Sequence, residues 1–131
     1  MEDIKSNQAT ENRPEGDRII DAPYVFIDTQ NFIDQLKHER SWEKNDRNGI
    51  TVFKSEKLAI VITALRANAF VQDYAVNGFL TIQVLEGQVD VKTNDKNLSL
   101  TAGQSIVFHP HLSHSILAIS DAVIMQTTVH Q

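Results

Sequence analysis

Three of the chain's five histidines fall within six residues, as His109-Pro-His-Leu-Ser-His114. Imidazoles at that density suit two kinds of chemistry: chelation of a divalent cation, or proton transfer near neutral pH. The ordinary alternative is a solvated loop. The chain has no cysteine, so disulfides and thiolate zinc sites are excluded and any metal must be held by His, Asp, Glu, Asn or Tyr. Arg66 reads as a clamp for a carboxylate or as a surface cation, the second being the commoner fate of arginine. Trp42 and Phe70 read as cover for a pocket, as an interface seam, or simply as core.

The charge balance narrows the partners. A net charge of -5 and a pI near 5.4 supply no basic surface to neutralise phosphates, which excludes nucleic acid and anionic membrane as main partners. Small molecules and proteins remain. No stretch approaches the roughly 18 apolar residues of a membrane span, and Met1-Glu-Asp-Ile-Lys5 lacks the basic and then apolar run of a secretion signal. A cytoplasmic protein is the expectation. The 131 residues suffice for one domain with a core.

The elements that position these side chains are mostly strands. Residues 1–18 are polar and without apolar period, and are expected to form a flexible arm. Residues 19–49 are expected to form an extension packed on the main body. It would comprise an edge strand over Tyr24–Ile27, one short helix capped by Asp28 or Thr29 with Phe32, Ile33 and Leu36 facing inward, and a charged connection over Ser41–Gly49. Asn48-Gly49 would make a tight turn there. Residues 50–131 alternate as short strands: Ile50–Lys54, Leu58–Leu65, Phe79–Leu85, Gln88–Lys92, Leu98–Leu100, Ser105–Phe108, Ser115–Ile119 and Ala122–Val129. Glu86-Gly87, Asn94-Asp95 and Thr101-Ala-Gly103 punctuate them. Such a series predicts an all-β sandwich or barrel and excludes the doubly wound nucleotide-binding folds.

Val84-Leu-Glu-Gly-Gln-Val-Asp-Val91, Leu98-Ser-Leu-Thr-Ala-Gly-Gln104 and His109-Pro-His-Leu-Ser-His-Ser115, in that order and spacing, resemble the cupin superfamily, and in particular its small single-domain, RmlC-like members. The resemblance implies a double-stranded β-helix, or jelly-roll barrel, often assembled as a homodimer. In metal-binding cupins two histidines and a glutamate of the first motif and one histidine of the second point into the barrel. Those positions map here onto Tyr74, Val76, Leu80 and His114, so the first motif is degenerate and only the last histidine survives. If Leu80 points inward, Ile82 and Val84 share its face while Thr81 and Gln83 face away.

One imidazole, one phenol and two hydrocarbons do not make the three or four N/O donors that a 3d metal needs. No cofactor is therefore predicted, and a divalent metal would need rescue donors. The candidates are Asp73, through a one-residue register shift, and His109 and His111, which the family pattern puts near the barrel mouth. Three functions stay open. The first is a metal-free pocket lined by Tyr74, Val76, Leu80, Ile82 and His114 that binds a small, partly apolar molecule. The second is an enzyme, either a metal-dependent oxygenase or isomerase with rescue ligands, or an epimerase-like catalyst with His114 as base and Tyr74 as acid. The third is an interaction scaffold with a vestigial pocket. The plain reading of His114 is a hydrogen-bonded core histidine, and of Tyr74 a residue that fills the volume of a lost ligand.

Overall fold

The computed structural model describes residues 4–73 and 75–131. Its elements run β1 (Lys5–Asn7), β2 (Arg18–Asp21), α1 (Thr29–His38), α2 (Arg40–Lys44), β3 (Arg47–Lys54), β4 (Leu58–Leu65), β5 (Phe70–Asp73), β6 (Gly78–Glu86), β7 (Gln88–Lys92), β8 (Asn97–Thr101), β9 (Ser105–Phe108), β10 (His114–Ala118) and β11 (Ala122–His130). A five-stranded sheet, ordered β3-β4-β11-β6-β9, faces a four-stranded sheet, ordered β5-β10-β7-β8. The chain crosses from one sheet to the other between β4 and β5, β5 and β6, β6 and β7, β8 and β9, β9 and β10, and β10 and β11. Within each of these two sheets every pair of neighbouring strands is antiparallel. This is the all-β arrangement that the strand series predicts, in the jelly-roll form that the resemblance implies.

Period-two alternation decides the interior. On β6 Leu80, Ile82 and Val84 are buried, and they pack with Val89, Val91, Ile116 and Ile124 between the sheets, while Thr81 and Gln83 are only half-buried. At the β6–β7 turn Gly87 has φ +78, and a Cβ there would land 2.2 Å from the Asp121 carbonyl oxygen. Only glycine fits that crossing. The outer face of the five-stranded sheet carries a second apolar layer, in which Ile50, Val52, Ile62, Ala64 and Val123 meet Ile33, Leu36 and Trp42 from the helices.

The N-terminal third differs from expectation at four points. The arm carries β1, which pairs with β2 from Lys5↔Asp21 to Asn7↔Arg18; backbone pairing needs no apolar period, so composition does not signal it. Tyr24–Ile27 forms no strand, and Tyr24 and Phe26 lie exposed. The charged connection contains a second helix, α2, because Trp42 buries itself against the sheet. Asn48-Gly49 lies inside β3 rather than in a turn, where the Asn48 amide is buried and donates to the Leu36 carbonyl at 2.9 Å. The predicted first helix stands as read: Asp28 caps it by accepting from the Asn31 N–H at 3.2 Å. Among the described residues no helix is long and apolar enough to cross a membrane.

Candidate functional site

His114 opens β10 and alternates with Ile116 and Ala118, which places its imidazole on the inner face of the four-stranded sheet, 5% exposed. Its ring stacks on Phe108, with centroids 4.8 Å apart and planes 18° from parallel. Phe108 ends β9 opposite Leu80 of β6, so a hydrocarbon wall of Leu80, Ile82 and Phe108 backs the imidazole. The His114 Nδ1 is buried.

Two depressions converge on this ring pair. One, of about 450 Å³, lies between the β7–β8 turn and the loop before β10, with Thr93, Asn94, Asp95, Leu112 and Ser113 around Phe108. A smaller one, of about 200 Å³, shares Thr93, Asn94 and Ser113 and extends to Lys92, Gln72 and His114. The loop is pinned by the His111 N–H, which donates to the Val76 carbonyl at 2.9 Å, with His111 at φ 68. The turn is held by the Thr93 hydroxyl, which accepts from the Lys96 N–H at 3.1 Å.

The structure separates the three clustered histidines. His109 is exposed and lies against Phe79, ring centroids 4.9 Å apart, while His111 is exposed on the loop. Strand entry at His114 turns the last imidazole inward and leaves the other two outside. Among the described residues no three of His, Asp and Glu gather where they could share a cation. Val76 is half-buried against the core and Leu80 and Ile82 are part of it. Tyr74 lies outside the described residues, as does the Asp73 side chain; the Asp73 backbone pairs with His114 in the β5–β10 ladder.

The inner face is more polar than the motif positions suggest. Gln126 is opposite Ile82, Thr128 opposite Leu80 and Thr63 opposite Ile124. Directly paired residues share a face, so these half-buried side chains belong to the interior beside the β3–β4 edge. The signal was in the sequence: Gln126 and Thr128 continue the period of Ala122 and Ile124. Arg66 is neither a ligand clamp nor a free surface cation. Its guanidinium sits 4.1 Å from the Trp42 ring centroid and donates to the Trp42 carbonyl at 2.8 Å.

The two-sheet jelly roll has the fold of cupins of known structure, and the expected resemblance holds at the level of fold. Solved structures agree. A cupin superfamily protein from Desulfitobacterium hafniense DCB-2 superposes with TM-score 0.64 at 16% identity, covering 66% of this chain and 80% of that one. An RmlC-like cupin from Shewanella frigidimarina NCIMB 400 gives 0.61 at 20% identity over 66% and 78%. A conserved protein of unknown function from Streptococcus pyogenes gives 0.67 at 14% identity over 95% and 96%, a span that must take in most of the N-terminal extension. No protein-family model and no curated protein matches the sequence.

Proposed function

We propose that this chain is a small-molecule-binding cupin whose ligand sets hydrocarbon against Phe108, Leu80 and Val76 and a single hydrogen-bonding group at His114, with Tyr74 and Ile82 completing the pocket wall. The observation that carries this reading is the buried His114 stacked on Phe108, a ring that lines the cleft at the end of the barrel. A cleft of about 450 Å³ lies within the roughly 300–1,000 Å³ range of small-molecule sites. A homodimer forms part of the proposal, supported by Phe79, Val107 and Val129. They stand exposed on the adjoining strands β6, β9 and β11.

The test is a thermal-shift screen of aromatic and aliphatic carboxylic acids on the full chain and on His114→Ala. A ligand that binds only the folded state raises Tm by mass action, and the shift is expected in the wild type and lost in the variant. If no compound shifts the wild type, the interaction-scaffold reading replaces this one. Elemental analysis of protein purified without chelator checks the donor-set argument. Near-stoichiometric metal that falls in His114→Ala would make a metalloenzyme the better reading.

A further inference from the structure

We infer a second binding site, for a small organic oxyanion, in the cleft that the N-terminal ribbon forms over Arg13 and Arg18. The cleft has a volume of about 420 Å³, and its walls include Asn7, Gln8, Asn12, Arg13, Arg18 and Ser41. It shares no residue with the clefts beside His114. Every side chain lining it is cationic or neutral and polar, in a chain whose net charge is -5. That local reversal of sign is built, because both guanidiniums are held in place.

Arg13 donates from Nε to both oxygens of Glu39, at 3.1 and 3.0 Å, and from Nη2 to the Gly49 carbonyl at 2.8 Å and to Asn48 Oδ1 at 3.1 Å. Arg18 donates from Nε to the Thr51 carbonyl and from Nη1 to the Gly16 carbonyl, each at 2.7 Å. Arg13 Nη1 and Arg18 Nη2 take no part in these bonds. Gly16 lets the ribbon close on Arg13, since a Cβ there would sit 2.8 Å from Arg13 Cγ.

Two carboxylates nearby, Glu39 and Asp17, are already engaged. Glu39 also accepts from Asn48 and Gln35, and Asp17 accepts from the Ala9 N–H. Glu39 is the carboxylate that pairs with Arg13 and also acts on Arg18. Burial, and then the charge of Arg13, push the Arg18 guanidinium below its ordinary pKa, with Glu39 acting in the other direction. An oxyanion between the two arginines would relieve that repulsion. Their spare N–H groups, the Ser41 hydroxyl and the Asn7 and Asn12 amides offer the directed donors that a carboxylate or phosphate oxygen accepts. The volume exceeds that of a bare ion, which points to an organic anion.

Calorimetric titration of the full chain with sodium malonate and, separately, sodium phosphate, at constant ionic strength, tests the site. Saturable binding of at least one is expected, and which one binds separates carboxylate from phosphate recognition. Arg18→Gln should weaken that binding at least about tenfold, the scale of one charge-assisted contact. Ser41→Asp, which places a carboxylate in the cleft, should abolish it in a folded protein and decides the matter if Arg18→Gln does not fold. No saturable binding of either anion to the wild type, or binding by Ser41→Asp equal to the wild type, would overturn the inference.

Discussion

The barrel interior and the N-terminal module are held together by different forces. Between the sheets, Ile82, Val84, Val89, Val91 and Ile116 are fully buried, and the free energy comes from apolar area removed from water. Where the ribbon meets α1 and β3, the junction is polar: Arg13, Glu39 and Asn48 form one hydrogen-bonded cluster, with Gln35 closing it. Burial without direction tolerates change of shape, whereas a directed cluster fails when any member loses its partner. The two regions should therefore respond to different perturbations.

Ile82→Ala should give the largest effect, a loss of about 2–5 kcal/mol, read as a fall in the denaturation midpoint of the whole protein. Removing the polar keystone with Glu39→Ala takes from Arg13 and Asn48 their shared carboxylate partner, a side chain only 9% exposed. It should cost about 1–3 kcal/mol and speed hydrogen exchange in β1, β2 and α1 before β6 or β10. Uniform acceleration in all five would show that the two regions are one cooperative unit.

A pH series sharpens the same contrast. Burial alone would raise the Glu39 carboxyl's pKa, but hydrogen bonds from Arg13, Asn48 and Gln35 and the charge of Arg13 outweigh it and hold the group below the usual carboxylate range. A depressed folded pKa stabilises at pH values above the unfolded value, about 4.3, and that contribution disappears as pH falls through the folded pKa. Ribbon protection should decline below about pH 4 in the wild type and not in Glu39→Gln. Equal decline in both would assign the effect to other carboxylates.

Arg66→Ala removes the guanidinium from the Trp42 ring and carbonyl and should cost about 1 kcal/mol, seen in Tm. At the small end, His109→Ala trims an exposed ring and should change stability by less than about 0.5 kcal/mol. A larger loss would mean that the Phe79–His109 pair braces the loop in front of β10.

Strands β6, β7 and β10 were legible because the buried face repeats every second residue; Leu80, Ile82 and Val84 announce themselves. β5 was not, since Phe70–Asp73 has no run long enough to show a period, and neither was α2, whose charged residues mask the single anchor Trp42. His114 could be singled out by its place in a motif. Its stacking on Phe108 could not, because the two belong to different sheets.

The sequence by itself determined which residues face the interior of the barrel, since strand geometry ties side-chain direction to residue parity. Only the tertiary structure decided that His114 stacks on Phe108 and that His109 lies against Phe79. It alone brought Arg13 to Glu39 and Asn48, 26 and 35 residues away. Polar residues repeat with no period, and their hydrogen bonds depend on distances that exist only once the sheets and helices have packed.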